Sequence, residues 1–195
     1  MTFESFKELL EADRSYRRFD HSRRISVDTL RKLVGLTRYC ASGRNAQPLK
    51  YRPVTEEKEC SELFATLKWA GYYTDWNGPS PEERPTAYLV QCLDTRYGDT
   101  CLCDDGLQLQ AITLGATALG ISGCIIKSFD AAKCRNILSL AAHLSPRYVL
   151  ALGYPAENVV IEEMDGCADA SFKYYRDEEG THHVPKRPLD ELIIY

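Results

Sequence analysis

What this sequence lacks narrows its function before any residue is given a role. No G-x-G-x-x-G and no G-x-x-x-x-G-K-[ST] follows any expected strand, so the usual dinucleotide and P-loop sites are unsupported. Positive charge is not in excess: 24 Lys and Arg stand against 28 Asp and Glu, a net charge of −4. That argues against a chain-wide nucleic-acid surface and leaves room for a local basic cluster on a small anion. The N-terminus, M-T-F-E-S-F-K-E-L-L-E-A-D, has no apolar core of a signal peptide. One uncharged run, residues 106–126, is long enough to span a bilayer. Its Gln108, Gln110, Thr113, Thr117, Ser122 and glycines fit a buried helix followed by a strand better. The expectation is a cytoplasmic protein with no membrane segment. There is no second cysteine pair beside Cys101-x-Cys103, as a zinc or iron–sulfur site would need, so no metal is assigned. The eight cysteines, at 40, 60, 92, 101, 103, 124, 134 and 167, are scattered, several in apolar stretches, and read as small hydrophobes rather than a disulfide framework.

What is present is an ordinary globular composition: 195 residues, 44% apolar and 27% charged, read as one domain over residues 1–195. Phe3, Phe6, Leu9 and Leu10 recur at helical spacing. Ser26 can cap a second helix that ends near Tyr39, and Thr55 a third with Cys60, Leu63, Phe64 and Leu67 on one face. Residues 71–85 form a long loop with Tyr72, Tyr73 and Trp76, which either line a pocket or anchor the loop on the core. Residues 50–54, 86–93, 123–127 and 147–153 read as strands. Asp104 caps the uncharged helix, Gly120 ends it, and Asp130 caps another. Residues 156–185 read as polar and irregular, and residues 192–195 as an apolar terminal strand that must join a sheet already built. Helices alternate with strands, giving an αβ layered domain; alternation alone favours a parallel, doubly wound sheet.

Four constellations can carry chemistry. R-S-Y-R-R-F, residues 14–19, sets two guanidiniums and a hydroxyl where a phosphate could be gripped; alone it reads as a solvated basic turn. S-G-R-N-A-Q-P, residues 42–48, offers Asn45 and Gln47 amides suited to a heterocycle edge, or is an ordinary loop. Lys186 and Arg187 either finish a phosphate site or sit on the surface. I-I-K-S-F-D, residues 125–130, runs a strand into a helix, where αβ proteins place ligands; Lys127 there is a charge for a reduced cofactor or a solvent-facing strand end.

With the helix G-L-Q-L-Q-A-I-T-L-G-A-T-A-L-G-I-S-G-C, the strand L-A-L-G-Y-P-A-E and the closing K-R-P-L-D-E-L, these motifs in this order resemble the nitroreductase family of FMN-dependent oxidoreductases. The resemblance covers most of the chain. It implies an α+β, three-layer α/β/α sandwich with a central mixed sheet, in a homodimer with exchanged C-terminal strands and two FMN sites at the interface. It implies that Arg14, Ser15 and Arg17 hold the FMN phosphate and ribityl chain, with Lys186 and Arg187 nearby. Ser42, Gly43, Asn45 and Gln47 would reach across from the partner subunit, and Lys127 and Ser128 would lie near the flavin ring. Asp13 stands where many members carry a further basic residue, and Lys127-Ser128 where others often have Glu-Gly or small residues.

The activity implied is electron transfer from NAD(P)H through flavin to a small organic acceptor such as a nitroaromatic or quinone. The flavin carries the chemistry, and no protein acid or base is assigned. The His182-His183 pair, in a polar segment, is expected to be exposed. Reductive dehalogenation on the same fold, or a protein that only stores flavin, are the alternatives.

Overall fold

The structure, a computed structural model, describes residues 1–165 and 171–194; Cys167 and Tyr195 lie outside the described residues. Helix α1 (Phe3–Ala12) begins with a reciprocal cap, in which the Ser5 amide donates to the Thr2 hydroxyl and the Thr2 amide to the Ser5 hydroxyl. Helix α2 (Val27–Gly35) is capped by Ser26 and continues as a 3-10 turn to Tyr39. Strand β1 (Leu49–Val54) leads to α3 (Glu57–Phe64), which Thr55 does not cap: the N-cap is Glu56, without a side-chain bond. After the long loop come β2 (Ala87–Asp94), α4 (Asp104–Thr117), β3 (Ser122–Ile126), α5 (Ala131–Ile137) and β4 (Leu144–Gly153). Asp130 caps α5 as its sequence suggests, accepting from the Lys133 amide. Gly120, at φ +69°, turns the chain out of α4 in a conformation that favours glycine. The uncharged run is therefore a helix and a strand, and no described helix is long and apolar enough to cross a membrane.

The main sheet has the order β1-β2-β4-β3. All three ladders are antiparallel, which overturns the parallel sheet that alternation alone favours. Helices between strands fix which faces are covered, not which way the next strand runs; residues 65–86 carry the chain back across the sheet before β2 starts. A parallel bridge between Ser15 and Gly123 on the β3 edge supplies the mixed character. Side chains alternate through the sheet. Tyr88, Val90, Cys92, Cys124, Ile126, Val149 and Ala151 meet the α3 and α5 side, while Ala87, Leu89, Leu150 and Leu152 meet Leu30, Leu33, Leu109 and Ile112 of α2 and α4. This is the α/β/α sandwich. Each fully buried leucine, such as Leu30 or Leu33, contributes about 1.5–3 kcal/mol.

Residues 156–185 are not irregular throughout. They hold β5 (Val159–Glu163), β6 (Tyr175–Arg176) and β7 (His182–Lys186), with β7 parallel to β5 and antiparallel to β6. Their charges belong to a thin, partly exposed sheet, so the apolar alternation that marks a strand is missing. The terminal segment differs too. Leu189–Glu191 is a 3-10 turn, and Leu192 to Ile194 follow it in no strand, Ile194 being 98% exposed.

Candidate functional site

The β3 edge, open on the side of Ile125, defines the site. Ile125 faces the α4 side of the sheet but is 40% exposed, because α4 stops short of covering it. The chain after α1 closes the gap: the Tyr16 amide donates to the Gly123 carbonyl at 3.1 Å. Between them opens a cleft of about 190 Å³ lined by Asp13, Arg14, Ser15, Gln110, Thr113 and Ile125, with Gly123 in its wall. Arg14 spends one donor on the Leu10 carbonyl at 2.7 Å, and its buried Nε has no partner among the described residues. Lys186 lies close enough to feel Arg14: burial, and then that guanidinium, push its ammonium below the ordinary range. Lys186 itself is exposed and outside the cleft lining, so Arg14 is the cation in the cleft wall and Lys186 a second one nearby.

Asp13 shares the cleft but points its carboxylate at α4. Its Oδ2 accepts from Gln110 Nε2 at 2.5 Å and Thr113 Oγ1 at 2.7 Å. Burial raises its pKa, against the lowering by Thr113 and Arg14.

Arg17 is elsewhere. It is 8% exposed and donates inward, to the Ser15 carbonyl at 3.1 Å and to His182 Nε2 at 3.0 Å, with its guanidinium over the Tyr174 ring. That bond makes Nε2 the acceptor and turns His182 Nδ1–H toward the Tyr73 hydroxyl. His182 is 1% exposed, which corrects the expectation that the histidine pair is exposed. Burial, then Arg17 and Arg176, push it down to about 4. Glu157 completes this knot, accepting from the Arg17 and Arg18 amides and from Arg176 at 2.9 Å. Tyr73 and Trp76 pack edge to face in it, so these loop aromatics are anchors as well as pocket lining. Arg187 is paired with Glu191 at 2.7 Å.

Residues 42–48 hang from the start of α4. Asp104, 1% exposed, does not cap its own helix; Cys103 holds the N-cap position. Its carboxylate instead accepts from the Ser42 hydroxyl at 2.6 Å and the Gly43 amide at 2.9 Å. A Cβ on Gly43 would lie 2.4 Å from Leu102 Cδ1. Arg44, Asn45 and Gln47 all have positive φ, of 55°, 53° and 49°, a strain that clusters at binding loops. Gln47 Nε2 donates to Asn45 Oδ1 at 3.1 Å, and both side chains are exposed. Asp104 precedes Gln110 and Thr113 by about 9–14 Å of helix, so one chain does not bring this loop to the Arg14 cleft. Lys127 leaves β3 on the Ile125 face and donates to the Tyr148 hydroxyl at 3.1 Å, with Ser128 beside it in an open depression of about 720 Å³.

Neither a family model nor a curated protein matches the chain. Solved structures do. A nitroreductase family protein from Clostridium difficile is 20% identical, covers 100% of this chain and 98% of its own, and superimposes with a TM-score of 0.67. The chain has the nitroreductase fold. A nitroreductase family protein from Streptococcus pneumoniae, 17% identical, gives the same TM-score over 97% of this chain and 99% of its own. An FMN-dependent nitroreductase from Clostridium difficile R20291 is 18% identical over 77% of this chain and 87% of its own, with a TM-score of 0.63.

On this nitroreductase fold the residues read from sequence thus fall in three groups: Arg14 and Ser15 in one cleft with Lys186 near it, Lys127 and Ser128 at the end of β3, and Ser42, Gly43, Asn45 and Gln47 at the far end of α4. Glu157 and Tyr148 had no role in the sequence pattern, and Asp104 and His182 had different ones, a helix cap and an exposed pair. Only Asp104 carried a signal, as an acidic helix start sixty residues from its partner loop.

Proposed function

We propose that the protein is an FMN-dependent oxidoreductase that takes electrons from NAD(P)H and passes them to a small organic acceptor such as a nitroaromatic or quinone. The cleft at the β3 edge that Arg14 and Ser15 line, with Lys186 near it, carries this reading. The cleft fits a flavin mononucleotide: Arg14 and the nearby Lys186 suit a phosphate, Asp13 turns its carboxylate to Gln110 and Thr113, the orphaned Arg14 Nε offers a further donor, and no dinucleotide motif provides for a second phosphate. Arg14, Ser15 and Lys186 would hold the phosphate end, with Lys127 and Ser128 toward the ring. Bound FMN supplies reversible two-electron exchange; the protein's part is orientation and charge. Lys127, on the exposed face of the strand end, favours added negative charge nearby.

The reading includes a homodimer. Ser42, Gly43, Asn45 and Gln47 lie too far along α4 to serve their own cleft, and their strained, outward amides suit a cleft on a second copy. Exposed Phe3, Phe6 and Leu107 on α1 and α4 are apolar surface for such an interface. The terminal residues 192–195 would then find their sheet in the partner.

The deciding experiment is an absorbance spectrum of purified protein followed by anaerobic titration with NADH and NADPH. A yellow protein bleached by either, with parallel double-reciprocal plots against acceptor, is expected. A yellow protein bleached by neither refutes the oxidoreductase reading and favours flavin storage or dehalogenation.

A further inference from the structure

A second cavity, also about 190 Å³, lies behind the turn at residues 81–86, against α3 and the first residues of β2, and shares no lining residue with the Arg14 cleft. Three features mark it as built for a ligand. Tyr88 is 1% exposed and lies in the lining, and its hydroxyl makes no side-chain hydrogen bond among the described residues without being sealed in the core. A phenol that opens on a cavity is a ready hydrogen-bond donor for whatever occupies it. Arg84 forms no ion pair among the described residues, rests its guanidinium on the Phe64 ring at 4.1 Å, and leaves its buried Nε without a partner. Arg24 donates to the Thr55 carbonyl at 3.1 Å and likewise forms no ion pair among the described residues.

We propose that this cavity binds a small aromatic carboxylate, its carboxylate held by Arg24, Arg84 and the Tyr88 hydroxyl and its ring set against Phe64 and Pro85. The charge count selects a monoanion. Two guanidiniums face one lining carboxylate, Glu57, for a surplus of one positive charge, which suits a carboxylate better than a phosphate dianion. Glu82 feels the Arg84 charge but lies outside the lining. His21 does not compete for the anion with Nδ1, which donates to the Arg84 carbonyl at 3.1 Å. Cys60 adds neither charge nor a nucleophile: burial pushes its thiol up to about 11 despite Arg24, and it donates to the Thr86 carbonyl.

The test is fluorine NMR of 4-fluorobenzoate added to the purified protein as isolated. Saturable broadening is expected, reversed by benzoate but not by benzamide or inorganic phosphate. Tyr88→Phe, which removes one oxygen and keeps the ring in the core, and Arg84→Ala should each weaken binding about tenfold or more, as for a hydrogen bond to a charged group. Arg14→Ala should leave it unchanged, and the visible spectrum of the protein should not respond. No saturable broadening, equal binding of benzamide, displacement by phosphate, or full affinity in both Tyr88→Phe and Arg84→Ala overturns the proposal. So does binding that Arg14→Ala abolishes, because that places the ligand in the other cleft.

Discussion

Arg14 and Arg17 stand three residues apart in one motif, yet the fold gives them opposite tasks, and their alanine variants should fail in opposite ways. Arg14 faces the cleft, with a single bond to the Leu10 carbonyl and a buried, unpartnered Nε. Arg14→Ala removes a charged donor from bound phosphate, a loss of about 1.5–3 kcal/mol, or about 10–150-fold in FMN affinity, with little change in folding stability. Lys186→Ala should act in the same direction but more weakly, because Lys186 lies near Arg14 yet is exposed and outside the cleft lining. Arg17→Ala instead strips His182 Nε2 of its donor inside the knot and removes the guanidinium from the Tyr174 face. An orphaned buried acceptor costs about 1–3 kcal/mol and a partly desolvated cation–π contact about 0.5–1 kcal/mol. The unfolding free energy should therefore fall by about 1.5–4 kcal/mol, while FMN affinity of the folded protein changes less than about threefold. Flavin fluorescence quenching measures the first quantity and urea unfolding of the apoprotein the second. An Arg17→Ala protein of normal stability that has lost FMN tenfold would refute this division.

Three further outcomes follow from the same geometry. His182 titrates at about 4 in the fold against 6.5 ordinarily, so the unfolded chain binds a proton that the folded chain does not: stability is intact above pH 6.5 and declines as pH falls toward 4, by up to about 3 kcal/mol. His183, raised by Asp177 and Glu162, runs the other way, its contribution present at low pH and fading as pH rises through its folded value, so the comparison is urea unfolding of His182→Asn, whose acid slope should be shallower than wild type. Asp104→Ala should release the Ser42 and Gly43 donors and weaken FMN binding by about 1.5–3 kcal/mol; unchanged affinity removes that loop from the site. Deleting residues 190–195 should turn a dimer into a monomer by light scattering and lose FMN with it, whereas a truncated, fully flavinylated dimer contradicts strand exchange.

Most of the sandwich was legible because its elements bury one face each. The Ser26 and Asp130 caps, the Gly120 stop and the continuous apolar run of β2 are local signals, and the structure keeps them. Strand direction was not legible, since α3 and α5 cover the sheet equally well whichever way the next strand runs. The β5–β7 sheet was hidden because Glu162 and His183 bond to each other across its strands while Glu163 and Lys186 face solvent, so its polar sequence conceals pairing. The site divides in the same way. Arg14 faces the cleft with Lys186 near it, whereas Arg17 looked equivalent and was drawn inward by His182, a partner 165 residues away that no local pattern announces.

Asp13 settles how strongly the cleft attracts an anion. A carboxylate next to Arg14 cancels its charge in the cleft lining, and Lys186 adds one positive charge nearby. Its bonds show how to remove the charge without disturbing the shape. Both donors, from Gln110 and Thr113, reach the same oxygen, Oδ2. Asp13→Asn can keep that oxygen as its carbonyl, leave α1 and α4 joined, and lose only the charge. A unit charge at the edge of a partly solvated cleft is worth about 0.5–1 kcal/mol at low ionic strength, so FMN should bind about two- to fivefold tighter in Asp13→Asn. The gain should shrink as salt is raised, because the interaction is screened. The variant should also be no less stable near neutral pH: burial raises the Asp13 pKa, so its ionised form costs the fold stability as pH climbs through that value, and asparagine removes the cost. Titrations at low and high salt, paired with urea unfolding at pH 5 and pH 8, measure both effects. Weaker FMN binding together with a lower unfolding midpoint would show that Asp13 shapes the cleft through Gln110 and Thr113 and that its charge does not limit the anion.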